Sequence, residues 1–535
     1  MSTLAALVLV KALLGAPHAV VAPPERLFAA AHAVPDDVRF YVHIEDVQAL
    51  RENLERLPIA DWAGQFLGGG QFIMAWGQLA QLAGVNNAGL IDLVVGDSIT
   101  LMVRGSGAEM QWLLLTPMDD DRARRLYSQL KVTVKQSEKG YSLCILPEHR
   151  LMLARTTDGT MLVSPQNSPK LMYSVLGLMG FGAAESRKPG LDRQPAMRTA
   201  RLLGQGQAGV YIAHDPPLGG WSVATLDFQG ERVSIRHRAR FDQDAFMRPA
   251  PEREIDPSIV ANFRDDALLA VLEPTEIGGN SIEFFVQQWL GGQPLLSREI
   301  RENLADVRLF VVGDMEGRMQ DHQADMLLPT GALCFKVKNG DIAEKQLDEH
   351  MIALSAALRR LGERLGKRMG DWAFVINVPN RREFIPGESR QVSLDSFTDW
   401  IGNGLPLLKN VDLCWQCLET PNGAFLVIAT HEQALETTRR ALEKEIGPAL
   451  PAGAWANCGI ANGVRIGQNL DSLIDQVVVL AEPGRERELK ASLQLLSSFA
   501  FGIKHVSWRM ARPCGNEMRL DVELELAPPV SADNE

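Results

Sequence analysis

Few positions in this chain carry residue types that could do chemistry, and their spacing decides what that chemistry could be. Cys414-Trp415-Gln416-Cys417 is a C-x-x-C motif. Such a pair acts as a redox couple when a helix N-terminus lowers one thiol pKa, or as half a zinc site when two further ligands stand at suitable spacing. The stretch from Val411 to Cys417 is instead apolar and strand-like, and no second C-x-x-C exists in the sequence. Positions i and i+3 of a strand point to opposite faces. The two thiols are therefore read as small buried hydrophobes, with Cys144 at a matching place in the first half; the alternative is a disulfide from one of them to Cys458 or Cys514. His43 and Glu45 alternate on one strand face, just after Asp36 and Asp37. An imidazole and a carboxylate on one face can seed acid-base or metal chemistry. The matching position in the second half is Leu272, so His43 is expected to be a partly buried strand residue.

Asp119, Asp120 and Asp121 could hold a cation, yet they precede a helical pattern, where the helix dipole favours negative charge. Capping is the expectation. Gly204-Gln205-Gly206-Gln207-Ala208-Gly209 matches the dinucleotide fingerprint G-x-G-x-x-G. That fingerprint needs a strand before it and a helix N-terminus after it, because the helix end holds the pyrophosphate. Here a helix-like stretch, Met197 to Leu203, precedes and a strand, Val210 to Ala213, follows. No H-E-x-x-H, G-x-S-x-G or phosphate loop is present. The sequence thus assigns no catalytic, cofactor-binding or metal-binding residue.

The elements that carry these residues recur in the same order along the chain. Asp36-Asp37 and the run Val38 to Ile44 match Asp265-Asp266 and Ala267 to Leu272. The strand Trp112 to Thr116, then Asp119 to Asp121 and a helix carrying Ala123, Leu126 and Leu130, match Leu333 to Val337, Asn339-Gly340-Asp341 and a helix carrying Leu347, Met351 and Leu354. Asp341 with Glu344 has capping-box spacing. Tyr141 to Leu146, the turn at Asp158-Gly159, the strand Met161 to Val163 and a helix opened by Ser168-Pro169 match Val411 to Cys417, the turn at Asn422-Gly423, Phe425 to Ile428 and a helix capped by Thr430 with Gln433. Each series ends in a hairpin, Trp221 to Phe228 with Arg232 to Phe241, and Val506 to Arg512 with Met518 to Leu526.

Strands joined by short turns imply antiparallel pairing. The expected fold class is α+β: two tandem divergent copies of an antiparallel-sheet module, with helices covering one face. The expected organisation is a leader over 1–33, a first repeat over 34–241, a Pro-rich linker over 242–257, a second repeat over 258–527 and a tail over 528–535. With 46% hydrophobic and 22% charged residues in 535, each repeat has material for a core. The net charge of -12 and the lack of a Lys/Arg stripe argue against nucleic acid as a partner.

Leu4 to Val10, Lys11 and Ala12 to Ala16 read as an export signal, with small-x-small sites at Val20-Val21-Ala22 and Ala31-His32-Ala33. An apolar N-terminal helix or a misplaced start codon is the alternative. The longest nearly apolar run elsewhere, Leu171 to Ala184, is short of the roughly 20 residues that a membrane span needs. No transmembrane segment is expected in the mature chain.

The opening VPDDVRFYVHIEDVQALRENL from Val34, the GDSITLMV strand from Gly96 and the TDGTMLVS segment from Thr157 resemble a bacterial family of uncharacterised secreted proteins, planctomycete-like, known as a domain of unknown function. The resemblance implies export and a repeated β-rich module, and carries over no catalytic residue. The leading expectation is a non-enzymatic exported binding or envelope-associated protein, its partner an unidentified protein or small molecule. The alternatives are a hydrolase or metal-dependent enzyme with a site between the halves, and a carrier of apolar ligands. No cofactor is expected.

Overall fold

The computed structural model of the chain describes residues 22–46, 97–105, 110–130, 132, 136–138, 140–146, 151–166, 169–181, 189–229, 231–243, 253–255, 258–275, 296–313, 330–353, 375–377, 390–395, 411–444, 453–478, 486–512 and 515–527. The chain divides into two compact units, Met1–Pro249 with Arg512–Glu535, and Ala250–Ala511.

The strands of the first unit are β1 (Phe40–Ile44), β2 (Ile99–Arg104), β3 (Gln111–Pro117), β4 (Gln136–Glu138), β5 (Tyr141–Leu146), β6 (Leu151–Thr156), β7 (Thr160–Pro165), β8 (Ala208–Ala213), β9 (Trp221–Gln229), β10 (Arg232–Arg240) and the late strand β22 (Glu517–Leu526). They pair in the order β22-β10-β9-β8-β1-β2-β3-β7-β6-β5-β4, always antiparallel. The tight β6–β7 turn places Gly159 at φ +85°, where a side chain is strained, and Asp158 accepts the Thr160 N–H at 3.1 Å.

Helix α1 (Asp120–Gln129) starts at Asp119, whose carboxylate accepts the Arg122 N–H at 2.6 Å. Its Ala123 and Leu126 pack with Trp112, Leu114 and Val163 on one sheet face. Helix α2 (Pro169–Leu178) packs Leu171, Met172 and Val175 with Leu113, Leu115 and Leu162 on the other.

β22 joins this unit through both of its faces. Arg232, Arg236 and Arg240 of β10 stand opposite Glu525, Asp521 and Glu517, and Arg238 reaches Asp521 at 2.8 Å. The alternate positions set Val233, Ile235 and Ala239 against Leu524, Val522 and Met518. Opposite-charge cross-strand pairs contribute roughly 0.2–1 kcal/mol each. The strand expected to close the second repeat therefore pairs along Glu517–Glu525 with β10 of the first unit.

The second unit contains β11 (Arg253–Ile255), β12 (Leu269–Pro274), β13 (Leu304–Val312), β14 (Gly331–Val337), β15 (Val375–Asn377), β16 (Arg390–Asp395), β17 (Val411–Thr420), β18 (Gly423–Ala429), β19 (Gly453–Trp455), β20 (Asn457–Asn462) and β21 (Ile503–Ala511). Pairing runs β21-β20-β12-β13-β14-β18-β17-β16-β15, again antiparallel, with β11 on β19. Substituting β20 for β8, β12 for β1, β13 for β2, β14 for β3 and β18 for β7, the strand order is that of the first unit. The hydrogen bonds agree as well: Arg39 N–H to Val103 O and Ala213 N–H to Arg39 O correspond to Leu268 N–H to Val312 O and Asn462 N–H to Leu268 O. A helix over 340–353 (α3) follows β14, and α4 (Glu432–Glu443) follows β18. The helical pair α5 (Gly463–Val478) and α6 (Glu486–Phe501) lies between β20 and β21, where the first unit has only the loop 214–220.

Several expectations are corrected. Helices cover both sheet faces in each unit, because α3 packs Ala343, Leu347 and Met351 with Leu333 and Phe335, while α4 packs Leu435 and Leu442 with Ala332 and Cys334. Successive residues of the central strands are apolar, so each face must be covered. The strand before the second unit's tight turn is β17, and the strand before Gly159 is β6; the match of Tyr141–Leu146 to Val411–Cys417 was one strand out of step. Asn339, not Asp341, caps α3 by accepting the Ile342 N–H at 3.0 Å. His431 caps α4 through Nδ1, which accepts the Gln433 N–H at 3.1 Å, while the Thr430 hydroxyl oxygen accepts the Gly331 N–H at 2.8 Å.

Residues of the expected leader and linker take part in the described structure. Leader residues 22–33 contribute Ala22, Leu27, Phe28 and Ala31 to a core of the first unit. Linker residues Arg253–Ile255 form β11.

Candidate functional site

Among the described residues, a close group of chemically competent side chains sits in the middle of the first unit's sheet. β1 runs between β2 and β8, with His43 opposite Thr100 on one side and Gly209 on the other. Alternation along β1 places Tyr41, His43 and Glu45 on the same face. His43 Nδ1 lies 2.8 Å from Thr100 Oγ1, and Nε2 lies 3.1 Å from Glu45 Oε2. Glu45 also pairs with Arg26. A carboxylate paired with Arg26 accepts, so the His43 Nε2–H donates to Glu45, and Nδ1 shares a hydrogen bond with the Thr100 hydroxyl. His43 and Glu45 are each 8% exposed and Thr100 is 3% exposed.

The cover over this face is the segment 22–34. Ala22 bridges to Gly206 by two backbone bonds, N–H to O at 2.8 Å and O to N–H at 3.0 Å. The Tyr41 hydroxyl donates to Leu27 O at 3.0 Å, and Phe28 stacks on the Tyr41 ring with centroids 6.0 Å apart. Burial first, and the Glu45 charge second, hold the Tyr41 phenol far above its ordinary pKa. A Cβ on Gly209 would lie 3.1 Å from Leu27 and 3.0 Å from Phe28, so the last glycine of the G-x-G-x-x-G run makes room for the cover. The middle one, Gly206, faces Leu226 O, 2.3 Å from where a Cβ would stand. The helix Pro195–Ala200 precedes the run and β8 follows, the reverse of a dinucleotide site.

The grouping has the parts of an acid-base relay: a hydroxyl, an imidazole and a carboxylate in line. Its hydrogen bonds go to internal partners that pin β1, β2 and the N-terminal segment together. At the matching register of the second unit, Leu272 stands between Leu309 and Cys458, and all three are buried.

The C-x-x-C pair is divided between the two faces of β17. Cys414 packs with Phe425 and Val427, and Cys417 with Trp415 and Leu426. Cys144, Cys334, Cys414, Cys417 and Cys458 are all buried; Cys514 lies outside the described residues. Burial, then the Glu344 carboxylate, push the Cys417 thiol up to about 12, so it is not a thiolate at neutral pH.

Glu344, read from the sequence as part of a capping box, is fully buried, and its Oε1 accepts the Cys417 N–H at 3.3 Å. The described part of β16 begins at Arg390, opposite Trp415, and the Glu344 carboxylate reaches the Cys417 N–H from α3. One turn on, Asp348 accepts from Trp415 Nε1 at 3.1 Å. The i, i+4 spacing of Glu344 and Asp348 on the face that carries Leu347 and Met351 was the available signal.

The remaining acidic candidates have partners of their own. Asp119 caps α1, and the Arg122 N–H holds its carboxyl below the ordinary range. Asp120 pairs with Arg155, Asp121 with Arg124, and Asp37 with Arg104 at 2.5 Å. Among the described residues no group of three or more His, Cys, Asp or Glu could hold a metal ion, and no helix is long and apolar enough to cross a membrane.

Sequence reasoning missed a pair of imidazoles, His214 and His237. His214 Nε2 lies 2.7 Å from Ser222 Oγ, and His237 on β10 has an Nδ1 without a hydrogen-bond partner. Burial, helped by His214 and Arg238, pushes His237 down to about 4. Comparison with family models, curated proteins and solved structures finds no match to this chain.

Proposed function

We propose that this chain is a non-enzymatic, exported binding or envelope-associated protein made of two divergent copies of one antiparallel-sheet module. The observation that carries the reading is the contrast at one register position. The two units share strand order and hydrogen-bonding pattern while the relay-like grouping of the first, Thr100–His43–Glu45, has Leu309 and Leu272 at its matching positions in the second. What the units have in common is a frame, and a frame serves by presenting surface. The apolar run from Leu4 and the resemblance to secreted bacterial proteins support export.

The test is in-cell cross-linking in the native envelope, comparing the wild type with a variant carrying His43→Leu and Thr100→Leu. Equal recovery of the same cross-linked partner from both supports the reading. Loss of that partner, or of a measurable turnover, in a variant that keeps its fold would move the function to the His43 group and overturn it.

A further inference from the structure

We infer that proteolytic processing on export severs the chain on the N-terminal side of Ala22, within residues 12–21, so that the segment 22–34 stays as a built-in strap of the first module. The inference rests on the export reading and adds the site of cleavage.

Neither small-x-small site of the sequence survives the structure. A cut after Ala33 would remove Ala22, Leu27, Phe28, Ala31 and Ala33, each at most 6% exposed. It would strip the Leu27 carbonyl from the Tyr41 hydroxyl and Arg26 from Glu45, and would open the His43 face to water. A cut after Ala22 would delete both backbone bonds to the buried Gly206. Unpaired buried backbone groups are strongly disfavoured.

The second unit supplies an independent argument, because its equivalent segment lies inside the chain, out of reach of any leader processing. There Arg253 pairs with Trp455 as Ala22 pairs with Gly206, at the same distance before β20 as Gly206 lies before β8. The helix Ser258–Ala261 follows, and Ile259, Val260 and Phe263 pack on the face that carries Ala270 and Leu272. The module therefore begins with a paired residue and an apolar strap before its first central strand, and a cut downstream of Ala22 would leave one module incomplete.

The experiment has two arms. The first is N-terminal sequencing and intact mass of the protein purified from its native host. A first residue between 13 and 22 is expected; a start at Pro23 or Val34 in the envelope fraction overturns the inference while leaving export intact. An unprocessed chain starting at residue 1 or 2 in the cytosol overturns both. The second arm compares full-length chains started at Ala22 and at Val34. The first should unfold cooperatively, and the second should lose that transition for the first unit or fall at least tenfold in soluble yield. If a conservative Leu27→Ala, Phe28→Ala pair in the Ala22-start chain leaves stability unchanged, the strap is not part of the core and the inference fails.

Discussion

The two units answer one packing problem in opposite ways. In the first, the central strand offers its covered face a histidine flanked by a threonine and a glycine; in the second, a leucine flanked by a leucine and a cysteine. Both sets are buried. The difference teaches that the sheet's register demands filled volume there and does not demand chemistry. A polar filling is tolerated only where Glu45, Arg26 and Thr100 complete its hydrogen bonds, since a buried polar group left unpaired costs about 1–3 kcal/mol.

The largest expected effect concerns the end of the chain. Deleting residues 512–535 removes the strand that carries five charged and four apolar positions against β10. Backbone amides of β9 and β10 should then lose hydrogen-exchange protection by 100-fold or more, while β12, β13 and β14 keep theirs. Equal loss in both units, or no loss in β10, would show that β22 does not belong to the first unit as described.

Exchanging the buried residues sharpens the comparison directly. Leu272→His places an imidazole between Leu309 and Cys458 and should cost about 3 kcal/mol, counting lost packing and desolvation. The reverse change, His43→Leu with Thr100→Leu, frees Glu45 to its Arg26 pair alone and should cost about 1 kcal/mol. Urea unfolding of each variant measures both. A larger loss from the second change would mean that the first unit depends on its polar network more than its packing.

An acid titration separates the units next. The His237 pKa is about 4 in the fold and about 6.5 when unfolded. A depressed histidine binds its proton first in the unfolded state, so its contribution is complete above pH 6.5 and is lost as pH falls from 6.5 through 4. The ring is partly open to solvent, which limits the loss to about 2 kcal/mol over that window. His237→Phe should flatten this part of the stability profile; an unchanged slope would place the acid sensitivity elsewhere.

The smallest effect is also a test of likeness. Asp119 and Asn339 hold the same station at the start of the first-face helix in each unit. Asp119→Ala and Asn339→Ala should each cost about 1 kcal/mol, seen as a similar shift in the unfolding midpoint. Costs differing by more than twofold would mean that the caps are not equivalent.

Much of the frame was legible in the residues alone. The alternation of β1, β10 and β22, the Asp-Gly and Asn-Gly turns, and the acidic start of α1 act through nearest neighbours, and a linear sequence contains nearest neighbours. The opposed faces of Cys414 and Cys417 followed from strand geometry in the same way, as did the reversed setting of the glycine run. What the sequence could not decide were matters of distant partnership. That β22 pairs with β10 depends on two charge patterns 283 residues apart at Arg238 and Asp521. That residues 22–33 supply core side chains depends on a bridge to Gly206 and a glycine at 209 shaped to receive Leu27 and Phe28. That Glu344 is a buried strand partner depends on α3 carrying it to the Cys417 N–H on β17. An apolar stretch announces that it will be covered, but only the folded chain brings up the surface that covers it, because burial is a property of two segments and is written in neither one.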